Sequence, residues 1–410
     1  MGLSLDEEYI LATYLLKGEK DLYKKAQGIA VGLTVGTWTE LPSEKKESMA
    51  QHLGKVVDVV PLPEEEGKQP VGKITIAYPI VNVTPDLPSI LTTVFGKLSL
   101  DGSIKLLDLH IPDSLLSQFP GPRFGIQGVR DLLQMKDRPL LMSIFKQCIG
   151  LSLDELEEEY RKQIEGGVDL VKDDEIFFAD GKAPAIERVK RFEALNRQRE
   201  ERTGRKALYA VNLTGPVNEM VDRAKRLVEA GASGLLLNVF VYGLDILHRL
   251  ASDPDIPVPI LAHPAFAGAI YASPEHGVSS SLLLGKFLRL AGADIVLYPS
   301  PYGSVAMPKE ESLSVADRLR RPYGNIKPSL PAPSAGIHPG LVPVLIRDFG
   351  PDLVINAGGG IHGHPQGSTA GGRAFLDAIS AIMAGYSLRE AAARSVKLSL
   401  AIEKWGVVEG

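Results

Sequence analysis

From Pro139 onward, short apolar runs alternate with amphipathic ones, and this alternation constrains the fold more than any other feature. The apolar runs are PLLMSIFK, VDLVKDD, ALYAVNL, GLLLNVFVY, VPILAHP, DIVLYPS, KPSLPAPS and DLVINAGG. They are short, rich in Leu, Val and Ile, and bounded by turn residues, as expected for strands of a parallel sheet covered on both faces. Segments with helical spacing separate them, among them SLDELEEEYRKQI, VNEMVDRAKRLVEAG and LLLGKFLRLAGA. Eight β-then-α units in about 270 residues match the size and rhythm of a closed (β/α)8 barrel. The C-terminal LREAAARSVKLSLAIEKW adds one or two covering helices.

The 410 residues leave room for a smaller unit ahead of the barrel. There YILATYLL, KITIAYPIV and IKLLDLHI read as strands, while DLYKKAQGIAVGL and DLPSILTTVF carry helical spacing. The expected organisation is an α+β domain over 1–115 and the barrel with its C-terminal helices over 116–410, joined through the turn-rich FPGPRFGIQG. A net charge of -5, with no basic patch interleaved with aromatics, provides no footprint for nucleic acid. No apolar run is long enough to cross a bilayer. The N-terminus lacks a basic-then-apolar signal, and Asp6 breaks the myristoylation motif that Met1-Gly2 would begin. Cys148 is the only cysteine and cannot close an internal disulfide, so the expectation is a cytoplasmic protein that binds neither nucleic acid nor membrane.

A barrel directs attention to the C-terminal ends of its strands, where chemistry sits, and to the loops after strands seven and eight, where phosphate often binds. The polar residues at those ends are Lys146, Lys172 to Glu175, Asn212, Asn238, His263, Ser300, Ser334 and Asn356. The second run is unusual, because GGVDLVKDDEIFF sets Lys172, Asp173, Asp174 and Glu175 in an apolar frame where ionised groups are rare unless paired or metal-bound. Period-two alternation points Lys172 and Asp174 the same way, and Glu175 at the strand end can turn toward them. Two readings are open. The charges form a strand-end salt bridge with no metal, or two carboxylates bind Mg²⁺ with Lys172 converted by CO₂ to an anionic carbamate as third ligand.

NAGGGIHGHP closes the eighth run, and its glycines bare backbone N–H groups suited to a phosphate. It contains the dinucleotide pattern G-x-G-x-x-G, but at the end of the last unit rather than the start of a first one, with no acidic residue at the expected offset. Gly336, in PSAGIHPG after the seventh run, would supply the neighbouring half of the cradle; ordinary tight turns are the plainer reading. His362 and His364, next to Pro365, read as residues that shape the loop. His263 is either a hydrogen-bond donor to a substrate oxygen or a packed histidine. Lys146 is a Schiff-base nucleophile, an acid–base group or a structural lysine. No Ser-His-Asp order or nucleophile elbow supports acyl transfer.

Taken together, these pieces resemble the RuBisCO superfamily over nearly the whole chain. GVDLVKDDE is similar to that family's carbamylated-lysine metal motif, and GTWTE (36–40), VFGK (94–97), GPRFGIQG (121–128) and GGGIHGHP follow in family order. The resemblance implies a ferredoxin-like α+β domain before the barrel and one Mg²⁺ per subunit on carbamylated Lys172 (N6-carboxylysine), Asp174 and Glu175. It implies substrate contacts from Lys146, His263 and the Lys172–Asp173–Asp174–Glu175 stretch, and phosphate held by Gly336, Gly358 and Gly359. Several positions depart from the carboxylases. Ser304 follows Gly303 where a carboxylase has its loop lysine, and Gly32, Thr93 and Pro264 replace a glutamate, an asparagine and an arginine. With Lys97, this set resembles the RuBisCO-like enolases of methionine salvage, in which the lysine matching Lys97 accepts the proton. That branch implies a small phosphorylated diketone as substrate and a homodimer with its active site at the subunit interface.

Overall fold

The structure is a computed structural model that describes residues 8–36, 49–63, 69–178 and 181–408. Of the GTWTE stretch only Gly36 lies among the described residues. The chain forms two compact units. The first comprises Met1–Pro120, Phe266–Phe287 and Pro322–Ile326, and the second comprises Gly121–Ala265, Leu288–Arg321 and Lys327–Gly410.

In the first unit, strand β1 (Tyr9–Lys17) alternates partly exposed with buried residues, and Ile10, Ala12, Tyr14 and Leu16 form its core face. Helix α1 (Leu22–Gly32) starts at Asp21, whose carboxylate accepts the Lys24 N–H at 2.9 Å. Strands β2 (Lys55–Pro61), β3 (Val71–Pro79) and β4 (Ile104–His110) follow, with helix α2 (Leu87–Leu91) before β4. β1 pairs antiparallel with both β3 and β4, and β2 with β3, which is the β–α–β–β–α–β arrangement of a ferredoxin-like unit. β10 (Gly277–Val278) then adds a fifth strand, parallel to β4 at the open edge. β2 is rich in valine but shows no alternation of apolar and polar residues, and β10 has no local sequence signal. β2 has no buried residue, because it is the other edge, and two residues cannot show a period.

In the second unit all eight expected barrel strands are present. They are β5 (Leu140–Ile144), β6 (Leu170–Lys172), β7 (Leu208–Asn212), β8 (Gly234–Asn238), β9 (Ile260–His263), β11 (Ile295–Pro299), β12 (Leu330–Ser334) and β13 (Val354–Ala357). Neighbours from β5 to β12 pair in parallel, and β13 pairs with β5, Val354 opposite Leu140. Some boundaries differ from expectation. GLLLNVFVY leaves the sheet at Asn238 and turns helical over Val239–Tyr242, and FPGPRFGIQG is half linker and half the start of helix α3 (Gly125–Leu133). Helices α4 (Leu153–Glu165) and α5 (Ala185–Thr203) cover the barrel next to β5–β7, and α4 opens with a reciprocal Ser152–Glu155 cap. Their inner faces bring Tyr160 and Phe192 into a stack at 4.3 Å, with Phe145 and Tyr209 completing an aromatic layer outside the strands.

The start of α3 is tied to the barrel by one buried carboxylate. Asp294, just before β11, accepts N–H groups from Phe124 at 2.7 Å, Gly125 at 2.8 Å and Ile260 at 3.0 Å. Burial pushes its carboxyl up to about 6 from 3.8, outweighing those three donors. The stability gained through this shift is complete below pH 3.8 and is lost as pH rises through about 6. Asp294→Ala should therefore destabilise the protein by about 3 kcal/mol through orphaned donors. Urea melts should show a larger deficit at pH 5 than at pH 7.

Candidate active site at the ends of the barrel strands

The barrel interior is apolar except for its last layer. Met142, Leu170, Ala210, Leu236, Leu261, Leu297, Ala332 and Val354 form the packed core. Two residues further along, on the same face of each strand, stand Ile144, Lys172, Asn212, Asn238, His263, Pro299, Ser334 and Asn356. A polar floor thus caps a hydrophobic plug, at the end of the barrel where the β-to-α loops begin.

β6 ends at Lys172, three residues short of Glu175, the expected strand end, so Asp174 and Glu175 lie in a turn beyond the sheet. Lys172 is fully buried; its Nζ donates to the Asp173 carbonyl at 3.0 Å and lies 3.7 Å from Glu175 Oε2. Burial lowers its pKa, with Glu175 and Asp174 pulling the other way and Lys146 adding to the decrease. Lys146 Nζ donates to Asp174 Oδ2 at 2.6 Å. Burial opposes the charge on Glu175, but Lys172 and a backbone hydrogen bond outweigh it and hold the carboxyl below its ordinary value. His263 Nε2 stands 3.5 Å from Glu175 Oε2, while its Nδ1 accepts the Ala265 N–H at 3.2 Å. Burial, then Lys172 and Lys146, depress its pKa well below 6.5, so the ring is neutral with its proton on Nε2.

Asp173 departs from its expected place among the ligand-facing residues. Its carboxylate points out of the barrel and is fully buried. It accepts Arg188 Nη2 at 2.8 Å, Tyr209 OH at 2.6 Å and the Asn212 N–H at 2.9 Å. It anchors the strand end and has no side-chain atom left for a ligand. Neither Arg188 nor Tyr209 stood out in the sequence, because no spacing links a helix residue to a strand end across the aromatic layer.

Lys146, Lys172, Asp174 and Glu175 sum to zero charge. Among the described residues no three His, Cys, Asp or Glu side chains converge as a metal site. Asp174 and Glu175 therefore fit a hard divalent cation on one condition, a third oxygen donor, and Lys172 Nζ is the atom placed to carry one.

The glycine loops adjoin this cluster. A Cβ on Gly358 would come within 2.8 Å of Lys146 Cε, so the stem of Lys146 lies on the bare backbone of the loop after β13. Gly359 faces open space. Ala335 and Gly336 after β12 are both left-handed, φ +73° and +69°, and a Cβ on Gly336 would stand 2.5 Å from the Ser304 N–H nitrogen. The loop after β11, which carries Gly303 and Ser304, is fastened by Tyr302 and Lys309 to the carboxylate of Asp348. His362 and His364 shape the loop after β13 through the carbonyls of Ile144, at 2.8 Å, and Lys397, at 2.9 Å. Lys97 belongs to the first unit. It follows a π-helical turn, Thr92–Gly96, whose Val94 carbonyl accepts the buried Tyr14 hydroxyl at 2.5 Å. Lys97 is exposed on the wall of a cleft of about 730 Å³ that Gly32 also lines.

The family model for the ribulose bisphosphate carboxylase large chain, catalytic domain, matches residues 125–405, and that for its N-terminal domain matches residues 2–115. The chain belongs to the RuBisCO family. Among curated relatives, it is 55% identical to a 2,3-diketo-5-methylthiopentyl-1-phosphate enolase of Geobacillus kaustophilus, over 98% of each chain. A protein of the same name from Geobacillus thermodenitrificans is 53% identical, again over 98% of each. Among solved structures, a RuBisCO-like protein (MtnW) from Alicyclobacillus acidocaldarius superposes with a TM-score of 0.92 at 53% identity, covering 98% of this chain and 100% of that one. An octameric ribulose-1,5-bisphosphate carboxylase/oxygenase from Pyrococcus horikoshii superposes at 0.89 with 33% identity, covering 100% and 96%. This RuBisCO-family chain thus shares the carboxylase fold while standing nearer in sequence to the enolases.

Because Asp173 is buried with a single cationic partner, Arg188→Met should cost about 3–5 kcal/mol in urea unfolding. The double substitution Asp173→Leu/Arg188→Met, which leaves no charge unpaired, should cost less than the single one.

Proposed function

We propose that this protein is a 2,3-diketo-5-methylthiopentyl-1-phosphate enolase of methionine salvage, an isomerase that forms 2-hydroxy-3-keto-5-methylthiopentenyl-1-phosphate. Full-length likeness to relatives bearing that name supports the reading. The observation that carries it is the cluster of Lys172, Asp174 and Glu175, two carboxylates and a buried amine of lowered pKa at the barrel mouth. The low basicity suits Lys172: its ammonium gives up one proton, and the free Nζ attacks CO₂, forming a C–N bond and releasing a second proton. The cluster then exchanges one positive charge for one negative and reaches a net charge of -2, which a single Mg²⁺ per subunit neutralises. Carbamylated Lys172, Asp174 and Glu175 would hold that ion. When bound, it supplies positive charge opposite the oxygen on which negative charge develops.

The remaining work falls to side chains and backbone. Enolisation removes a proton from C1, beside the C2 carbonyl, and returns one to the C2 oxygen. Lys97 is the base that takes the C1 proton. His263, neutral with Nε2–H available, donates to a substrate oxygen, and Lys146 contacts the substrate from the other side of Asp174. The phosphate lies at the loops of Gly336, Gly358 and Gly359, which fixes C1 relative to the base. Lys97 sits in the first unit, and in this reading the working form is a homodimer in which Lys97 of one copy serves the barrel of the other. A cytoplasmic location fits the single buried cysteine, and among the described residues no helix is long and apolar enough to cross a membrane.

Loss of the C1 proton to D₂O, followed by NMR with the diketo-phosphate, tests the function. Exchange and product formation are expected with Mg²⁺ and bicarbonate, and their persistence after exhaustive removal of CO₂ would sink the carbamate. Ribulose bisphosphate should give no labelled phosphoglycerate from radioactive bicarbonate, because Ser304 occupies the place of the loop lysine. Lys97→Ala and Lys172→Ala should each be inactive, and mixing the two should restore activity through one intact site per mixed dimer. Mixed dimers that form and stay dead would refute the shared site.

A further inference from the structure

Asn212 and Asn238 end neighbouring strands, are each 4% exposed, and have no part in the chemistry described above. Asn238 Nδ2 donates to the Glu175 carbonyl at 3.0 Å. Asn212 Nδ2 reaches the same carbonyl at 3.2 Å and those of Asp174 and Phe177 at 3.3 and 3.4 Å. Only the amide nitrogen suits these positions, because a side-chain oxygen would face carbonyl oxygens. Two donors from two strands therefore occupy both lone pairs of one carbonyl. The opposite atoms, Asn212 Oδ1 and Asn238 Oδ1, are buried with no hydrogen-bond partner among the described residues. A stability-driven design would not leave two buried acceptors unpaired, which directs attention to function.

The segment they grip needs gripping. The last ladder bond of this strand runs from the Asp173 N–H to the Ala210 carbonyl at 3.0 Å. Beyond it, the turn holds itself by the Phe177 N–H on the Asp174 carbonyl, at 3.0 Å, and the Ile176 N–H on Asp174 Oδ1, at 3.3 Å. Ile176 and Phe178 project into solvent, 53% and 56% exposed, and only Phe177 between them is buried, under the Arg188 guanidinium at 4.2 Å.

We infer that Asn212 and Asn238 are positioning residues that fasten the Asp174–Glu175 peptide from the barrel side, so that Asp174 meets Lys146 and Glu175 meets Lys172 before any ligand arrives. This rests on the reading of Asp174 and Glu175 as cation ligands. Supports of this kind typically change metal affinity by 10–100-fold when removed.

The test compares the full-length wild type with Asn238→Leu, which is near-isosteric and lacks the donor, and with Asn238→Ala should the leucine variant not fold. Two readouts are taken: amide hydrogen exchange at Ile176 and Phe177 without ligands, and thermal stabilisation by Mg²⁺ at fixed bicarbonate. The variant should keep the wild-type melting temperature to within a few degrees without Mg²⁺. It should exchange faster in this turn and need about tenfold more Mg²⁺ for half-maximal stabilisation. Its kcat for the diketo-phosphate should fall with KM little changed, a split that general loosening would not produce. Wild-type exchange together with wild-type Mg²⁺ dependence would overturn the inference. A wild type that exchanges slowly here, loosens in the variant and ignores Mg²⁺ and bicarbonate would instead refute the cation reading and leave the fastening role standing.

Discussion

The buried pair of Asp173 and Arg188 is the interaction on which the site depends. Four consecutive charged residues at the end of an apolar strand would be ruinous if all faced one way. Sheet alternation sends Lys172 inward and Asp173 outward, and Arg188, with Tyr209 and the Asn212 N–H, meets Asp173 where it lands. Burial weakens the guanidinium, yet Asp173 and Tyr209 more than compensate and raise its pKa above the ordinary arginine value. One acid is thus removed to a sealed ion pair behind the barrel wall. Lys172, Asp174 and Glu175 are left as a small cluster at the barrel mouth.

Rigidity around that cluster comes from backbone contact as much as from side chains. The stem of Lys146 rests on Gly358, and the Ser304 backbone lies against Gly336, so side chains larger than hydrogen would push these loops apart. Asp348 holds the two ends of the loop after β11 through Tyr302 and Lys309, and Arg347 braces the same carboxylate at 2.8 Å. The Gly303–Ser304 segment is thereby seated against the Ala335–Gly336 backbone of the loop after β12. A site resting on strands, with its loops seated against one another, is organised ahead of binding, as proton abstraction requires.

Much of this was legible in the chain itself. Strands buried on both faces announce themselves as apolar runs, so all eight barrel strands were found, and Lys172 and His263 fell at their ends. Edge elements were not legible. β2 has no buried face to alternate against, and β10 is two residues whose partner, β4, lies far away in sequence. The polar strand ends Asn212, Asn238 and Asn356 were visible as residue types, but their partners were not, because an amide's role is set by the atom opposite it. Asn356 Nδ2 finds Ser334 Oγ at 2.7 Å, whereas Asn238 Nδ2 finds the Glu175 carbonyl.

The sequence by itself determined the period of each element and therefore the barrel, the face on which each strand-end residue stands, and the chemical inventory at the mouth: two lysines, three acids and a histidine. These follow from local rules, since a two-residue repeat and the cost of burying charge act through neighbours in the chain. Only the tertiary structure decided how that inventory is divided. It placed Arg188 opposite Asp173, set Lys146 on Asp174 across the bare backbone of Gly358, and left Lys172 buried beside Glu175. Each of those outcomes is a contact between segments that meet only when the barrel closes, and a carboxylate becomes an anchor or a ligand according to which cation closure brings to it.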